Sequence, residues 1–272
     1  SLESAERDGV AFANFLEAHT ADELRALTAE QVVGGLALPW LPSPSNNPRI
    51  MFRPIVDGYV LRQDPANPTV RPTAMVPLMT GYNSDVAPAG ADTKTPAGFE
   101  QNVRARFARH ADAILALYPH ATEAEASESA TLLARDRYLA SLLLWTDQRT
   151  QSSGQPIYRY LFTQPLPVAS GPSFGSFHTA EVPYLFGNLD TALRPYTETD
   201  QAVSKSVQNY WLNFARTGNP NGDGLPVWDQ VAGSDGEVLV LDTSPEMGMA
   251  VSSNERFEAI KQFVEDGGQL SL

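Results

Sequence analysis

The spacing of apolar residues along this 272-residue chain predicts helices that alternate with short strands. Apolar positions at helical spacing predict helices over residues 2–18, 21–36, 96–118, 122–151, 198–217 and 254–266. Short apolar or alternating runs predict strands over residues 75–81, 156–163 and 237–241. Strands that alternate with long helices are typical of an α/β layer structure rather than a sandwich or a bundle.

Local signals mark the ends of several of these elements. Thr20 and Thr28 precede acidic first turns and are predicted helix N-caps, and Gly218 is a predicted C-terminal cap. Residues 39–48 are rich in proline and are predicted to form an irregular loop. Residues 52–61 are predicted to be a short extended segment with a tight turn. Neither a repeat nor a clear domain boundary interrupts the chain.

The composition restricts the partners and cofactors. Aspartate and glutamate number 32 against 19 lysines and arginines, for a net charge of −13, which disfavours nucleic acid or an anionic membrane as a partner. No apolar run approaches the ~18 residues of a transmembrane helix. The chain has no cysteine, which excludes disulfides and cysteine-ligated metal. The histidines show no HxxxH or HExxH spacing, so a zinc site has no support.

His178 is the strongest candidate for a chemical role. It follows a glycine-rich loop at 164–176, which comes directly after the strand predicted at 156–163. In α/β enzymes, the loops at the carboxyl ends of the strands hold the catalytic groups. The other histidines, His19, His110 and His120, lie in predicted helices or at their ends, where a solvated surface role is expected.

The segment from Phe177 to Asn188 reads F-H-T-A-E-V-P-Y-L-F-G-N. It resembles the segment that carries the catalytic histidine in type-B carboxylesterases, the α/β-hydrolase family of cholinesterases and bacterial para-nitrobenzyl esterases. Two further segments resemble the family in the same order along the chain: F-R-P-I-V-D-G at 52–58 and Y-W-L-N-F-A-R-T-G-N-P-N at 210–221. The resemblance implies the carboxyl-terminal half of an α/β-hydrolase fold, a mostly parallel sheet flanked by helices, with His178 as general base.

The segment that resembles the family's acid loop departs from its pattern. The family has G-x-x-x-D-E-G, whereas residues 81–87 read G-Y-N-S-D-V-A, with Val86 in place of the glutamate. A carboxylate here orients the imidazole, and its loss costs about 10⁴ in rate. Three alternatives follow: Asp85 serves through a small change in loop path, Asp92 or Glu100 reaches in from the following loop, or the enzyme is a slow or degenerate dyad.

A G-x-S-x-G pattern at 171–175 is not expected to be a nucleophile elbow. Ser173 lacks the preceding strand and the following helix that an elbow needs, and it lies five residues before His178. Glu181 resembles a glutamate that recurs in the family's histidine segment and is predicted to have a structural role at the wall of the active-site gorge. Aromatic candidates for an apolar ester pocket are Trp40, Tyr82, Phe174, Phe177 and Tyr184.

The catalytic order in this fold is serine, acid, histidine, so the serine elbow and the oxyanion loop are expected before residue 1. We therefore predict a companion polypeptide, the amino-terminal half of the same precursor, with residues 1–272 forming the remainder of one domain. Residues 1–150 would be its helical and acid-loop region, and residues 151–272 its histidine loop and last strands and helices. A first residue that is Ser1 rather than methionine, at the start of a predicted helix, favours processing of a longer precursor.

The function that the resemblance implies is hydrolysis of a carboxylic ester through a serine acyl-enzyme, which requires no metal and no organic cofactor. The alternative is a catalytically degenerate binding module, similar to cholinesterase-like domains that lack an intact triad; Val86 favours it and the retention of His178 opposes it. A secreted or periplasmic location is favoured, because many members of the family carry secretion signals.

Overall fold

The computed structural model describes residues 1–34, 54–63, 74–85, 95–171, 173–191, 194–233 and 236–270. They belong to two compact units, residues 1–70 and residues 71–272. The predicted loop at 39–48 and Trp40 lie outside the described residues, as do Phe52, Arg53, Val86 and Asp92. In the described part of the chain, no helix combines the length and the apolar character needed to cross a membrane.

The first unit contains α1 (Leu2–Phe15), α2 (Ala21–Ala26) and α3 (Ala29–Gly34). Thr20 caps α2 in a capping box with Glu23, as predicted. The single helix predicted over 21–36 is wrong. It is divided at Leu27, whose backbone is extended, and Thr28 then accepts a hydrogen bond from the Gln31 N–H at the start of α3.

The predicted tight turn after residue 52 is present in the described residues 54–63. The Asp57 carboxylate accepts hydrogen bonds from the N–H groups of Tyr59, Val60 and Leu61, and Gly58 has a φ of +77°. These residues contain no strand, so the turn is held by one side chain rather than by strand pairing.

The second unit alternates strands and helices. In chain order its elements are β1 (Leu78–Asn83), α4 (Pro96–Phe107), α5 (Ala111–Leu117), α6 (Glu123–Ser153), β2 (Ile157–Phe162), α7 (Val182–Phe186), α8 (Glu198–Thr217), β3 (Glu237–Leu241), β4 (Glu246–Met249) and α9 (Asn254–Glu265). The helix predicted over 96–118 is interrupted because Ala108 has a φ of +47°, and a short 3₁₀ turn precedes α5. Helix α8 ends at Gly218 in the left-handed conformation, as predicted.

The strands form one mixed sheet in the order β1-β2-β3-β4. β1, β2 and β3 are parallel, and β4 runs antiparallel to β3. β1 continues through Gly81 to Asn83, two residues beyond the predicted end. β4 was not predicted, because its sequence E-M-G-M is short and contains a glycine.

Helices cover both faces of the sheet, and the side chains of β2 alternate between two cores. Leu161 packs with the helices α4, α5, α6 and α9 on one face. Tyr158 and Phe162 pack on the other face with α7, α8 and Trp228. This alternation explains why every side chain of the strand except that of Arg159 is aliphatic or aromatic: both of its faces are buried.

One charged side chain interrupts this apolar strand. Arg159 of β2 is 1% exposed and forms an ion pair with Asp147 of α6. Its guanidinium also donates to the Thr146 hydroxyl over 2.6 Å and to the Leu143 carbonyl over 3.0 Å. On the strand's other face, the Trp228 indole N–H donates to the Arg159 carbonyl over 2.9 Å. Arg159 therefore joins the central strand to the long helix α6.

We predict that Asp147→Ala lowers the free energy of unfolding by about 3–5 kcal/mol, because the buried guanidinium would lose the carboxylate of Asp147. Glu128→Ala is the matched control, since Glu128 is an exposed carboxylate on the same helix, and it should change stability by less than about 0.5 kcal/mol. Urea unfolding of both variants at neutral pH measures the difference. Equal losses would show that the ion pair does not hold β2 against α6.

Candidate active site

The candidate site lies at the carboxyl edge of the parallel strands. The ladder continues one residue beyond the strands, because the Ser84 N–H donates to the Phe162 carbonyl and the Thr163 N–H donates to the Leu241 carbonyl, each over 3.0 Å. The ends of β1, β2 and β3 are therefore level with one another. At this edge of an open α/β sheet the loops project into the crevice that binds ligands.

Ser176 joins the histidine loop to this edge. Its buried hydroxyl donates to the Phe162 carbonyl over 2.9 Å, and its own carbonyl accepts from the Asp85 N–H over 3.0 Å. The end of β2 and Asp85, two residues after β1, thus both bind the histidine loop at Ser176. His178 follows two residues later and is exposed to solvent.

The backbone after His178 turns sharply. Thr179 has a φ of +74°, which is an outlier for a β-branched residue. The Ala180 N–H donates to the Phe177 carbonyl over 2.9 Å, and the Val182 N–H donates to the Thr179 carbonyl over 3.1 Å. Strained backbone of this kind is concentrated at functional sites, where the surrounding structure enforces it.

Asp85 contacts the histidine loop directly. Its Oδ2 accepts hydrogen bonds from the Ser84 hydroxyl over 2.7 Å and from the Ser176 N–H over 2.8 Å. Oδ1 has no hydrogen bond among the described residues. Gly175 permits this approach, since its φ is +65° and a Cβ there would lie 2.4 Å from Oδ2. The two predicted site residues, His178 and Asp85, are therefore brought to one edge of the sheet.

Glu181, predicted to have a structural role, closes the other side of the turn. Asn83, the last residue of β1, donates from its amide to the Glu181 carboxylate and, over 2.7 Å, to the Phe177 carbonyl. Burial, reinforced by the nearby Glu181 carboxylate, raises the pKa of Tyr160 to about 12. Glu181 thus lies beside the sheet rather than in open solvent.

The remaining candidates from the sequence lie elsewhere. Glu100 forms an ion pair with Arg104 one turn along α4 and, within the described part of the chain, makes no hydrogen bond to the histidine loop. Ser173 is exposed, with neither a strand nor a helix flanking it, and its hydroxyl accepts from the Gly175 N–H. Ser173 therefore has no elbow geometry.

The aromatic candidates divide into core and surface. Tyr184 is fully buried against Phe162, and Tyr82 packs edge-on against Tyr138 of α6. Phe174 is 71% exposed, and Phe177 is half-buried. Tyr184 is thus a core residue, Tyr82 is half-buried against the core, and the surface of the histidine loop presents Phe174 and Phe177.

Helix α7 supports the histidine turn and is itself held by α8. The Tyr184 hydroxyl donates to Asp200 over 2.6 Å, and the Ser204 hydroxyl donates to the Tyr184 carbonyl over 2.6 Å. Burial would raise the pKa of Asp200, but hydrogen bonds from Tyr184 and Thr197 outweigh it and hold the pKa below its ordinary value. An ionised Asp200 therefore stabilises the helix pair.

Sequence reasoning did not single out three residues of this site: Asn83, Gly175 and Ser176. The available signal was their position, since Asn83 lies two residues after the predicted strand and the other two immediately precede the histidine segment. The described residues contain no group of three or more His, Asp or Glu side chains that could hold a metal ion.

A parallel sheet whose carboxyl edge joins an acid loop to a histidine loop is an α/β-hydrolase arrangement. The model of the carboxylesterase family matches residues 3–259, so the chain belongs to that family. The resemblance to type-B carboxylesterases and the predicted fold class are thereby confirmed.

Individual relatives are similar to the chain over part of their length. The para-nitrobenzyl esterase of Bacillus subtilis is 24% identical over 82% of this chain and 46% of its own length. The acylcarnitine hydrolase of Mus musculus is 35% identical over 38% of this chain and 19% of its own length. A solved structure of a PNB esterase superposes with a TM-score of 0.65 at 20% identity, over 95% of this chain and 54% of that one. The chain thus spans about half of the structure it resembles.

We predict that Gly175→Ala disrupts the bond between Asp85 and the histidine loop. The matched control is Gly154→Ala, because Gly154 has a φ of +64° but a Cβ added there would meet no atom within 4 Å. Both variants carry the strain of a left-handed alanine, of order 1 kcal/mol. Gly175→Ala should lose a further ~1.5–3 kcal/mol, since a hydrogen bond to a charged group is broken. Thermal unfolding of the two variants would contradict the contact if their losses were the same.

We predict a pH-dependent effect of Asp200→Asn. Because the pKa of Asp200 is lowered by folding, its contribution is present above the unfolded pKa of about 3.9 and is lost as the pH falls through the folded value. The variant should therefore be less stable than the parent at pH 7 by about 1–3 kcal/mol, with a difference that shrinks below about pH 4. Denaturant unfolding from pH 2 to 7 measures this. Asp229→Asn, at an exposed aspartate, is the control. Its stability difference from the parent should not change between pH 7 and pH 2.

Proposed function

We propose that this chain is the carboxyl-terminal part of a serine carboxylesterase, in which His178 is the general base and Asp85 the acid. A companion polypeptide, the amino-terminal half of the same precursor, would supply the nucleophilic serine and the oxyanion hole. Membership of the carboxylesterase family supports the reaction class. The matched relatives, named as hydrolases and esterases, support it as well.

The observation that carries the proposal is the bond between Asp85 and the histidine loop. The carboxylate binds the Ser176 N–H through Oδ2, two residues before His178. Oδ1 then remains to accept the imidazole N–H. A displacement of the loop that brings the ring to Oδ1 would let Asp85 perform the role of the glutamate that Val86 replaces.

The chemistry follows the acyl-enzyme route. His178 takes the proton of the serine hydroxyl while the serine oxygen attacks the ester carbonyl carbon. Backbone N–H groups of the companion chain bind the oxyanion that forms. The intermediate breaks its bond to the alcohol oxygen, which leaves with the proton from His178. Water then gives a proton to His178 and attacks the acyl carbon. The second tetrahedral intermediate breaks its bond to the serine oxygen, which takes the proton back from His178, and the carboxylic acid leaves.

The sheet supports a companion chain. β1 is at one end of the strand order and pairs only with β2 among the described strands, so its other edge is available to a further strand. The substrate class we propose is a carboxylic ester with apolar groups, because Phe174 and Phe177 lie on the same loop as the base.

The alternative function is a non-catalytic binding module of the same fold. The observation that favours it is Val86, which removes the family's acid. On this alternative, Asp85 would only hold the loop, and loss of the imidazole would have no chemical consequence.

We predict that, in the complete protein, His178→Gln lowers hydrolysis of para-nitrophenyl esters by about 10⁴-fold or more and abolishes labelling by a fluorophosphonate, since the serine would lose its base. Asp85→Asn should lower the rate by up to about 10⁴-fold. His19→Gln, in the first unit, is the control and should retain full activity. The label is expected on the companion polypeptide, identified by intact mass.

Two results would contradict the proposal. Absence of ester hydrolysis and of labelling in the native protein would favour the binding module. Hydrolysis by the 29.5 kDa chain alone would show that the serine lies within it and that no companion is needed.

A further inference from the structure

We infer that Asn83 is a positioning residue for His178: its side-chain amide ties together the two ends of the turn that carries the imidazole. The inference rests on the proposed function of His178 as a base. It deepens that proposal by naming a residue that the reaction requires but that does not touch the reacting atoms.

The geometry of the turn is the first argument. The Asn83 amide nitrogen donates to the Phe177 carbonyl over 2.7 Å and to the Glu181 carboxylate. Phe177 precedes His178, and Glu181 follows it by three residues. A single amide group therefore holds the chain immediately before the imidazole and immediately after the turn, while His178 itself stays exposed at the apex.

The strain in the turn is the second argument. Thr179 adopts a φ of +74°, which is unfavourable for a β-branched residue and requires support from its surroundings. The Phe177 carbonyl accepts from both the Ala180 N–H and Asn83, so both of its lone pairs are used. Without Asn83, the Phe177 carbonyl would keep only the local bond from the Ala180 N–H, and the nearest remaining long-range anchor on the amino-terminal side of the turn would be Ser176.

The rigidity of Asn83 is the third argument. It is 5% exposed and is the last residue of β1, paired in register with Phe162 of β2. Its position is therefore set by the sheet rather than by a loop. An amide suits this place, because its nitrogen carries two donors that face two acceptors. An aspartate would offer no donor when ionised.

The test compares Asn83→Ala, Asn83→Asp and the control Asn221→Ala in the complete protein. Asn221 is a comparable structural amide: it bonds the N–H and the carbonyl of Trp228, away from the histidine turn. The rate constant kcat and KM for a para-nitrophenyl ester are measured from pH 5 to 9. Thermal unfolding is measured in parallel.

We expect Asn83→Ala to lower kcat by about 10²-fold with KM little changed, since misplacement of a catalytic group by about 1 Å costs this much. Asn221→Ala should lower thermal stability and leave kcat unchanged. Unchanged kcat in Asn83→Ala, with His178→Gln inactive, would overturn the inference and leave the proposed function standing.

The pH profile separates positioning from a merely structural role. Of the titratable groups near position 83 in the described residues, Glu181 bonds the Asn83 amide and Tyr160 lies near Glu181. Asp85 follows Asn83 by two residues, and His178 follows its acceptor Phe177. In Asn83→Asp, the new carboxyl group would face Glu181, and two adjacent carboxylates share a proton more readily than both ionise. The protonated pair has a donor again, so the rate of the variant relative to that of the parent should fall as the pH rises, which gives a descending limb.

The parent and Asn83→Ala should lack this descending limb, and its absence in Asn83→Asp would also contradict the inference. A second measurement does not depend on activity. It is the NMR chemical shift of the imidazole carbon-bound protons of His178, whose signal is assigned by its loss in His178→Gln. Collapse of this signal to its random-coil position is expected in Asn83→Ala and not in Asn221→Ala. If His178→Gln left hydrolysis unchanged, the proposed function would fail, whatever the signal showed.

Discussion

The buried guanidinium of Arg159 is the constraint on which the architecture of the second unit depends. A charge on a central strand is costly to bury unless its partners are in place, and here α6 supplies a carboxylate, a hydroxyl and a carbonyl. The register of α6 against β2 is therefore fixed by polar geometry as well as by apolar packing. From β2 the ladder extends to β1 and β3, so the ends of all three parallel strands inherit the same alignment.

The residues of the candidate site depend on that alignment because they are attached to strand ends rather than to helices. The Ser176 hydroxyl is hydrogen-bonded to the last residue of β2, and Asp85 lies two residues after the end of β1. Acid loop and histidine loop then bond to each other across the edge. The chain brings its carboxylate and its imidazole loop together through hydrogen bonds whose acceptors are set by the sheet, which is the preorganisation that a catalytic site needs.

Features decided by local chemistry were predicted well from the sequence. Helix α8 has a capping threonine, an apolar stripe and a terminal glycine, and its bounds were predicted at both ends. Strand β2 was predicted within one residue, because both of its flanks are marked by loop residues. The breaks at Leu27 and Ala108 were missed, since apolar spacing continues across them while the backbone does not.

The candidate site was predictable in part. His178 and Asp85 were found through resemblance to a family, and the structure shows that their loops meet. The contacts that hold the histidine turn join residues 91 to 98 positions apart. Local sequence patterns do not predict contacts between residues so far apart in the chain. Asn83 and Ser176 are ordinary polar residues in the sequence; only the pairing of β1 with β2 gives them neighbours.

The carbonyl oxygen of Phe162 accepts from the Ser84 N–H of the acid loop and from the Ser176 hydroxyl of the histidine loop. The acid loop and the histidine loop are thus bound to the same carbonyl oxygen. When the sheet fluctuates and the end of β2 shifts, both loops are carried in the same direction, and the separation between them is preserved to first order. Although the acid loop continues directly from β1, this shared acceptor couples its position to the end of β2, where the histidine loop is also bound.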